Sequence, residues 1–103
     1  MAYLDTADTI LQQLGGQRFI AMTGARGMVA GKNSLTFRLP RSPFNQKRIN
    51  AVQIELTPAD TYRISFYRIS PAVSETVIAV HDDVYCDELA DVFTQETNLL
   101  THL

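Results

Sequence analysis

The stretch Gly24-Ala25-Arg26-Gly27-Met28-Val29-Ala30-Gly31-Lys32-Asn33 holds the residue types of a phosphate-cradling loop: glycines that let backbone amides curl around an anion, and a lysine able to reach it. The spacing does not complete the pattern. Arg26 stands where the first glycine belongs, Asn33 replaces the hydroxyl residue that would hold magnesium, and a strand-like segment follows where a helix is required. The expectation is a wide hairpin loop over residues 24–33 whose glycines supply positive φ, with Arg26 and Lys32 at a cationic tip able to touch a nucleic-acid backbone.

Metal chemistry needs three or four converging ligands, and the borderline or soft ones are only His81, Cys86 and His102. His81 beside Asp82 and Asp83 has the composition to touch a cation. The better reading makes one of those carboxylates a helix cap and His81 partly exposed, while His102 falls in a tail expected to fray. Around Cys86, the charges of Asp82, Asp83, Asp87 and Glu88 oppose thiolate formation, so a core thiol is expected rather than a nucleophile. Ser, His and Asp occur without nucleophile-elbow spacing or an acid/base pair. The sequence therefore predicts no enzyme, no cofactor and no metal site.

Binding chemistry has more to stand on, because the charges are sorted along the chain. No Asp or Glu occurs from Thr9 to Ile54, where Arg18, Arg26, Lys32, Arg38, Arg41, Lys47 and Arg48 all fall; after Ser70 there are seven acids and no Lys or Arg. A net charge of −2 conceals this asymmetry, and separated like charges create local potentials that favour polar partners.

The elements that must position these groups follow from periodicity. Residues 5–14 read as a helix capped by Asp5 or Thr6, with Ile10, Leu11 and Leu14 as its apolar stripe and Gly15-Gly16 as its stop. Residues 18–23 read as a strand. Alternation then puts Leu35, Phe37 and Leu39 opposite Thr36 and Arg38, and Val52, Ile54 and Leu56 opposite Gln53 and Glu55. In a further strand, Tyr62, Ile64 and Phe66 lie opposite Arg63, Ser65 and Tyr67. Thr76 to Val80 offers a fifth strand or an extended approach, and a last helix is expected to start at Asp82 or Asp83, with Tyr85, Leu89, Val92 and Phe93 inward and Asp87, Glu88, Asp91 and Glu96 solvated. With 103 residues the chain suits one domain. The predicted fold is a two-layer α+β domain: an antiparallel meander of four or five strands with an N-terminal and a C-terminal helix on one face. The expected core is Leu35, Phe37, Val52, Ile54, Leu56, Ile64, Phe66, Leu89, Val92 and Phe93. No apolar run reaches the length of a membrane span and the first residues lack a secretory pattern, which predicts a soluble cytoplasmic protein.

Residues 10–25 (ILQQLGGQRFIAMTGA) resemble the opening of small, uncharacterised proteins encoded by bacteriophages, prophages and related mobile elements. Similar matches occur at Leu35-Thr36-Phe37-Arg38-Leu39-Pro40, at residues 56–62, at Asp83-Val84-Tyr85 and at Val92-Phe93-Thr94. The resemblance implies a mobile-element origin and hence the host cytoplasm, and it brings no activity or functional residues with it.

Two binding roles result. In the first, a non-enzymatic phage-type interaction module inhibits or modulates host or defence machinery, with Asp83, Asp87, Glu88 and Asp91 meeting a basic site on a host or phage protein. In the alternative, Arg38, Arg41, Lys47, Arg48 and Arg63 neutralise the phosphates of single-stranded DNA or RNA while Tyr67 stacks on a base. The acidic pI of about 5.5 ranks the first ahead. The blander alternative is that the basic loop simply meets the acidic helix of the same molecule.

Overall fold

The computed structural model describes residues 2–70 and 75–99, residues 2–5 by their backbone alone. Helix α1 (Ala2–Leu14) starts earlier than expected, so Asp5 and Thr6 lie inside it rather than at its cap. Its stop is the glycine pair: Gly15 and Gly16 take φ of 133° and 62°, and the Gly16 amide donates to the Leu11 carbonyl at 2.9 Å. Glycine makes this left-handed closure without Cβ strain.

The chain then re-enters a helix at once. Helix α2 (Gln17–Thr23) occupies the residues expected to form a strand. Its buried residues are Phe19 and Thr23, four apart, and the Thr23 hydroxyl donates back to the Phe19 carbonyl. Gly24, in the left-handed region, donates its amide to Ile20 and ends the helix. Seven residues between two glycines are too short to display a clear period, and Phe, Ile and Thr suit either state. Burial of Phe19 decides for the helix.

Strand β1 (Arg26–Ala30) corrects the wide-loop expectation, since half of that glycine-rich stretch is a strand. Its register with β2 (Ser34–Arg38) shifts between Arg26 and Val29, where Gly27 has φ 66°, the mark of a β-bulge. The connection narrows to residues 31–33, leaving Lys32 exposed at the hairpin tip. Strands β3 (Ala51–Leu56), β4 (Tyr62–Arg68) and β5 (Thr76–Val84) complete an antiparallel sheet in the order β1-β2-β3-β4-β5.

Strand β5 runs on through Asp82 and Asp83, which therefore are not helix caps. The cap is Tyr85, whose amide donates to the Glu88 carboxylate at 3.0 Å. A 3-10 turn (Cys86–Glu88) then leads into helix α3 (Leu89–Thr97). Tyr85 and Cys86 are consequently exposed rather than in the core.

The helices cover one face of the sheet. Phe19 of α2, Phe37 of β2 and Phe93 of α3 meet there, with Phe19 edge-on to Phe37 at 5.4 Å and to Phe93 at 5.1 Å. Leu35, Val52, Ile54, Ile64, Phe66 and Leu89 are buried around them, and Leu56 and Val92 are partly buried against that core. The opposite face, with Thr36, Gln53, Glu55, Arg63 and Tyr67, has no layer over it among the described residues. No helix among the described residues is long and apolar enough to cross a membrane.

Candidate functional site

The chain between β2 and β3 is long and irregular, yet two asparagines tie it down. Asn45, buried, donates from Nδ2 to the Ile49 carbonyl at 2.6 Å and accepts the Ile49 amide on Oδ1 at 3.1 Å. Asn50 does the same with Ile69 beyond the end of β4, at 2.8 Å in both directions. Each amide side chain thus imitates a strand neighbour for a backbone that has none. The Asn45 amide also closes a turn onto Ser42, and Ile49 inserts into the core.

Held this way, the loop walls a cleft of about 1300 Å³ at one end of the sheet. The start of β1, the end of β2 and the end of β4 form its other sides. Arg26, Arg38, Arg41, Arg48 and Arg68 line it, and among the described residues no Asp or Glu does. None of the five makes an ion pair with a described carboxylate. Arg38 donates from Nε to the Asn50 carbonyl at 3.1 Å and Arg68 from Nη2 to the Lys47 carbonyl at 2.6 Å. These bonds orient two guanidinium forks and leave donors over for an anion, since each fork carries five N–H groups.

Two details run against simple stability. Arg26 and Arg38 are direct cross-strand partners, and like charges facing each other across a ladder repel. Arg48 has φ 57°; among the described residues the other non-glycine positions with positive φ are Asp60, Asp83 and Asn98, types that tolerate this region far better than arginine does. An anion between the arginines would turn the repulsion into attraction, and strained arginine backbone at the cleft fits a binding role.

The expected nucleic-acid residues divide. Arg38, Arg41 and Arg48 come together in the cleft. Lys47 turns away to the Glu96 carboxylate. Arg63 sits near the opposite end of β4, bonded to Asp82, an arrangement that raises its already high pKa through that hydrogen bond. Tyr67 is half-buried on the uncovered sheet face, in register with Ala51 and Val77, and does not line the cleft. Arg26, expected at a loop tip, and Arg68, not singled out at all, complete the set. No local signal marked them: each lies at a strand terminus that the meander brings beside the loop.

Glu96, expected to be solvated, is the junction between the loop and α3. Its side chain is only 10% exposed, with Lys47 Nζ on one oxygen at 2.5 Å and His81 Nε2 on the other at 2.7 Å. The Lys47 hydrogen bond is the main reason its pKa lies below the usual carboxylate value, burial acting the other way.

Asp83, Asp87, Glu88 and Asp91 are all exposed and make no ion pair with a described residue. Val84 is the partner of Tyr62, so Asp83 lies at the end of the sheet remote from the cleft, roughly 20 Å away along a seven-residue strand. Alternation separates the suspected cation ligands: His81 packs edge-on against Phe66 on the helix side, and Asp82 reaches Arg63 on the other. Among the described residues no group of three or more His, Cys, Asp or Glu is arranged to hold a metal ion, and His102 lies outside them. No protein-family model, curated protein or solved structure matches the chain.

Proposed function

We propose that the protein is a non-enzymatic nucleic-acid-binding module that holds a phosphate backbone in the arginine-lined cleft. The observation that supports this most is the convergence of five arginines from three strands and one loop on a concavity without a lining carboxylate. A guanidinium fork matches two phosphate oxygens, and a cleft concentrates the field of its charges. The acidic net charge, which favoured a protein partner on the sequence alone, averages over two ends that are electrically unlike. The mobile-element origin implied by the motif resemblance belongs to the same reading and puts the ligand in the cytoplasm of a host cell.

Fluorescence polarisation with labelled DNA and RNA across a salt series tests the proposal. Binding should weaken steeply with salt as released counterions are recaptured, and Arg41→Glu with Arg48→Glu should lower affinity about 10- to 100-fold at low ionic strength. Neutralising the far end with Asp83→Asn, Asp87→Asn and Glu88→Gln should leave affinity within about twofold, since that end lies beyond roughly one Debye length of 10 Å at 0.1 M salt. No binding at low salt, or binding indifferent to the arginine reversals, overturns it.

The second reading keeps the acidic end as a docking surface for a basic protein that the module inhibits or modulates. It is supported by the exposure of Asp83, Asp87, Glu88 and Asp91 without an ion-pair partner among the described residues. Loss of a captured partner in the neutralised variant would favour it.

A further inference from the structure

The loop that carries Arg41 and Arg48 inverts the usual order of burial. Asn45 is inside and its neighbour Phe44 is 68% exposed, more than any other large apolar residue described. A single exposed apolar side chain is ordinary on a protein surface. This one is held out by construction. The Phe44 amide donates to the Ser42 hydroxyl, the Asn45 amide to the Ser42 carbonyl, and the Asn45 side chain is locked to Ile49. With Pro43 before it fixing φ near −65°, Phe44 stands on a braced turn. Pro43 and Asn45, its two neighbours, both line the cleft while Phe44 itself does not, so the exposed ring stands on the loop segment that walls the cleft, between Arg41 and Arg48 in the chain.

Resting on the nucleic-acid reading above, we propose that Phe44 is a stacking platform for an unpaired base, so that the ligand of the cleft is a single strand: arginines take its phosphates and Phe44 takes one base. A phenyl ring has no polar atom with which to read a base edge; it can only cover a π-face, and every base has one. In a duplex those faces are already stacked within the helix. The consequence is discrimination by strandedness rather than by sequence. Tyr67, the aromatic residue expected in this role, is half-buried on the uncovered sheet face, whereas Phe44 is exposed on the loop that walls the cleft and takes its place. A basic loop with an exposed aromatic also suits an anionic bilayer, but a bilayer presents a broad surface, whereas the arginines here surround a concavity that a single chain can enter.

The test uses the full chain and its Phe44→Ala and Phe44→Trp variants. Three probes are needed: a single-stranded oligonucleotide carrying 2-aminopurine, the same sequence as a duplex, and inorganic polyphosphate. Circular dichroism and thermal unfolding should match across the variants, because Phe44 contributes little to the core. Wild-type protein should prefer the single strand and change the 2-aminopurine fluorescence. Phe44→Ala should lose about 5- to 100-fold in single-strand affinity, the range for removing one stacked base, with the fluorescence change, while keeping polyphosphate affinity; Phe44→Trp should restore both. If Phe44→Ala binds the single strand as well as wild type while Arg41→Glu with Arg48→Glu does not, the stacking role is overturned and the arginine cleft stands. If wild type binds no phosphate polymer, both fall. Binding to phosphatidylserine vesicles that depends on Phe44, without single-strand binding, overturns it in favour of a membrane.

Discussion

At one end of the sheet five arginines surround a cleft without a lining carboxylate, whereas at the other Arg63 is bonded to Asp82 and Asp83, Asp87 and Glu88 stand exposed nearby. Strand β4 shows the difference in one element, since Arg63 and Arg68 lie on the same strand and meet opposite fates. Arg63 faces an acid across the ladder; Arg68 reaches a loop carbonyl and joins the cleft. The arginines of β1, β2 and β4 gather at one end only because the meander returns those strand termini to the same place; Lys32, at the β1–β2 tip, lies at the opposite end, and Glu75, next to Arg68's partner Thr76, lies at this one. An arginine's partner is set by its position on the strand, not by the half of the chain it belongs to.

The largest expected effect removes the support that both ends share. Phe19→Ala takes out the ring that joins α2, β2 and α3, and a buried phenyl truncated to alanine costs about 3 to 5 kcal/mol. Urea unfolding should report that loss. A loss under about 1 kcal/mol would mean the site relaxes without the ring, and the shared-support account would fail.

A smaller effect should separate the two ends. Asn45→Ala leaves the Ile49 amide and carbonyl unpartnered in a buried setting, which costs about 1 to 3 kcal/mol. Hydrogen exchange should rise over residues 45–50 while protection near Val84 and Leu89 is retained. Uniform loss of protection at both ends would show that the loop is not an independent unit.

The smallest effect concerns the junction between loop and helix. Glu96 has a folded pKa below its ordinary 4.5, chiefly through its hydrogen bond from Lys47. The unfolded chain then takes up its proton first as pH falls, so the carboxylate favours the folded state above about pH 4.5, and this contribution disappears as pH drops through the lowered folded value. Lys47 and His81 are the charged or titratable groups bonded to it. Because Lys47 is half exposed, screening keeps the effect modest. Glu96→Gln should reduce stability near neutrality and remove this group's share of the acid-side slope below about pH 4.5, so that the difference between the two proteins shrinks as pH falls. A stability difference between the two proteins that is unchanged from pH 7 to pH 3 would contradict the assigned role of the ion pair.

Alternation made much of the sheet legible. Leu35, Phe37, Val52, Ile54, Ile64 and Phe66 were expected on one face and are buried there, because a period of two cannot satisfy water and core in any other register. Elements whose local signals conflict were not legible. Helix α2 lies between two glycines and holds β-favouring side chains, and β5 runs through an Asp-Asp pair that resembles a helix start. Pairing with β4 and the Arg63–Asp82 contact carry that strand onward.

By itself, then, the sequence determined an α+β meander, the inward face of its central strands and an acid-free basic segment, because each is written in neighbouring residues. Only the tertiary structure decided that Arg26 and Arg68 stand beside Arg38, Arg41 and Arg48, that Lys47 is taken by Glu96, and that Phe44 is outside while Asn45 is within. Those arrangements depend on which strand termini share one end of the sheet and on hydrogen bonds between residues distant in the chain, and no local period records either.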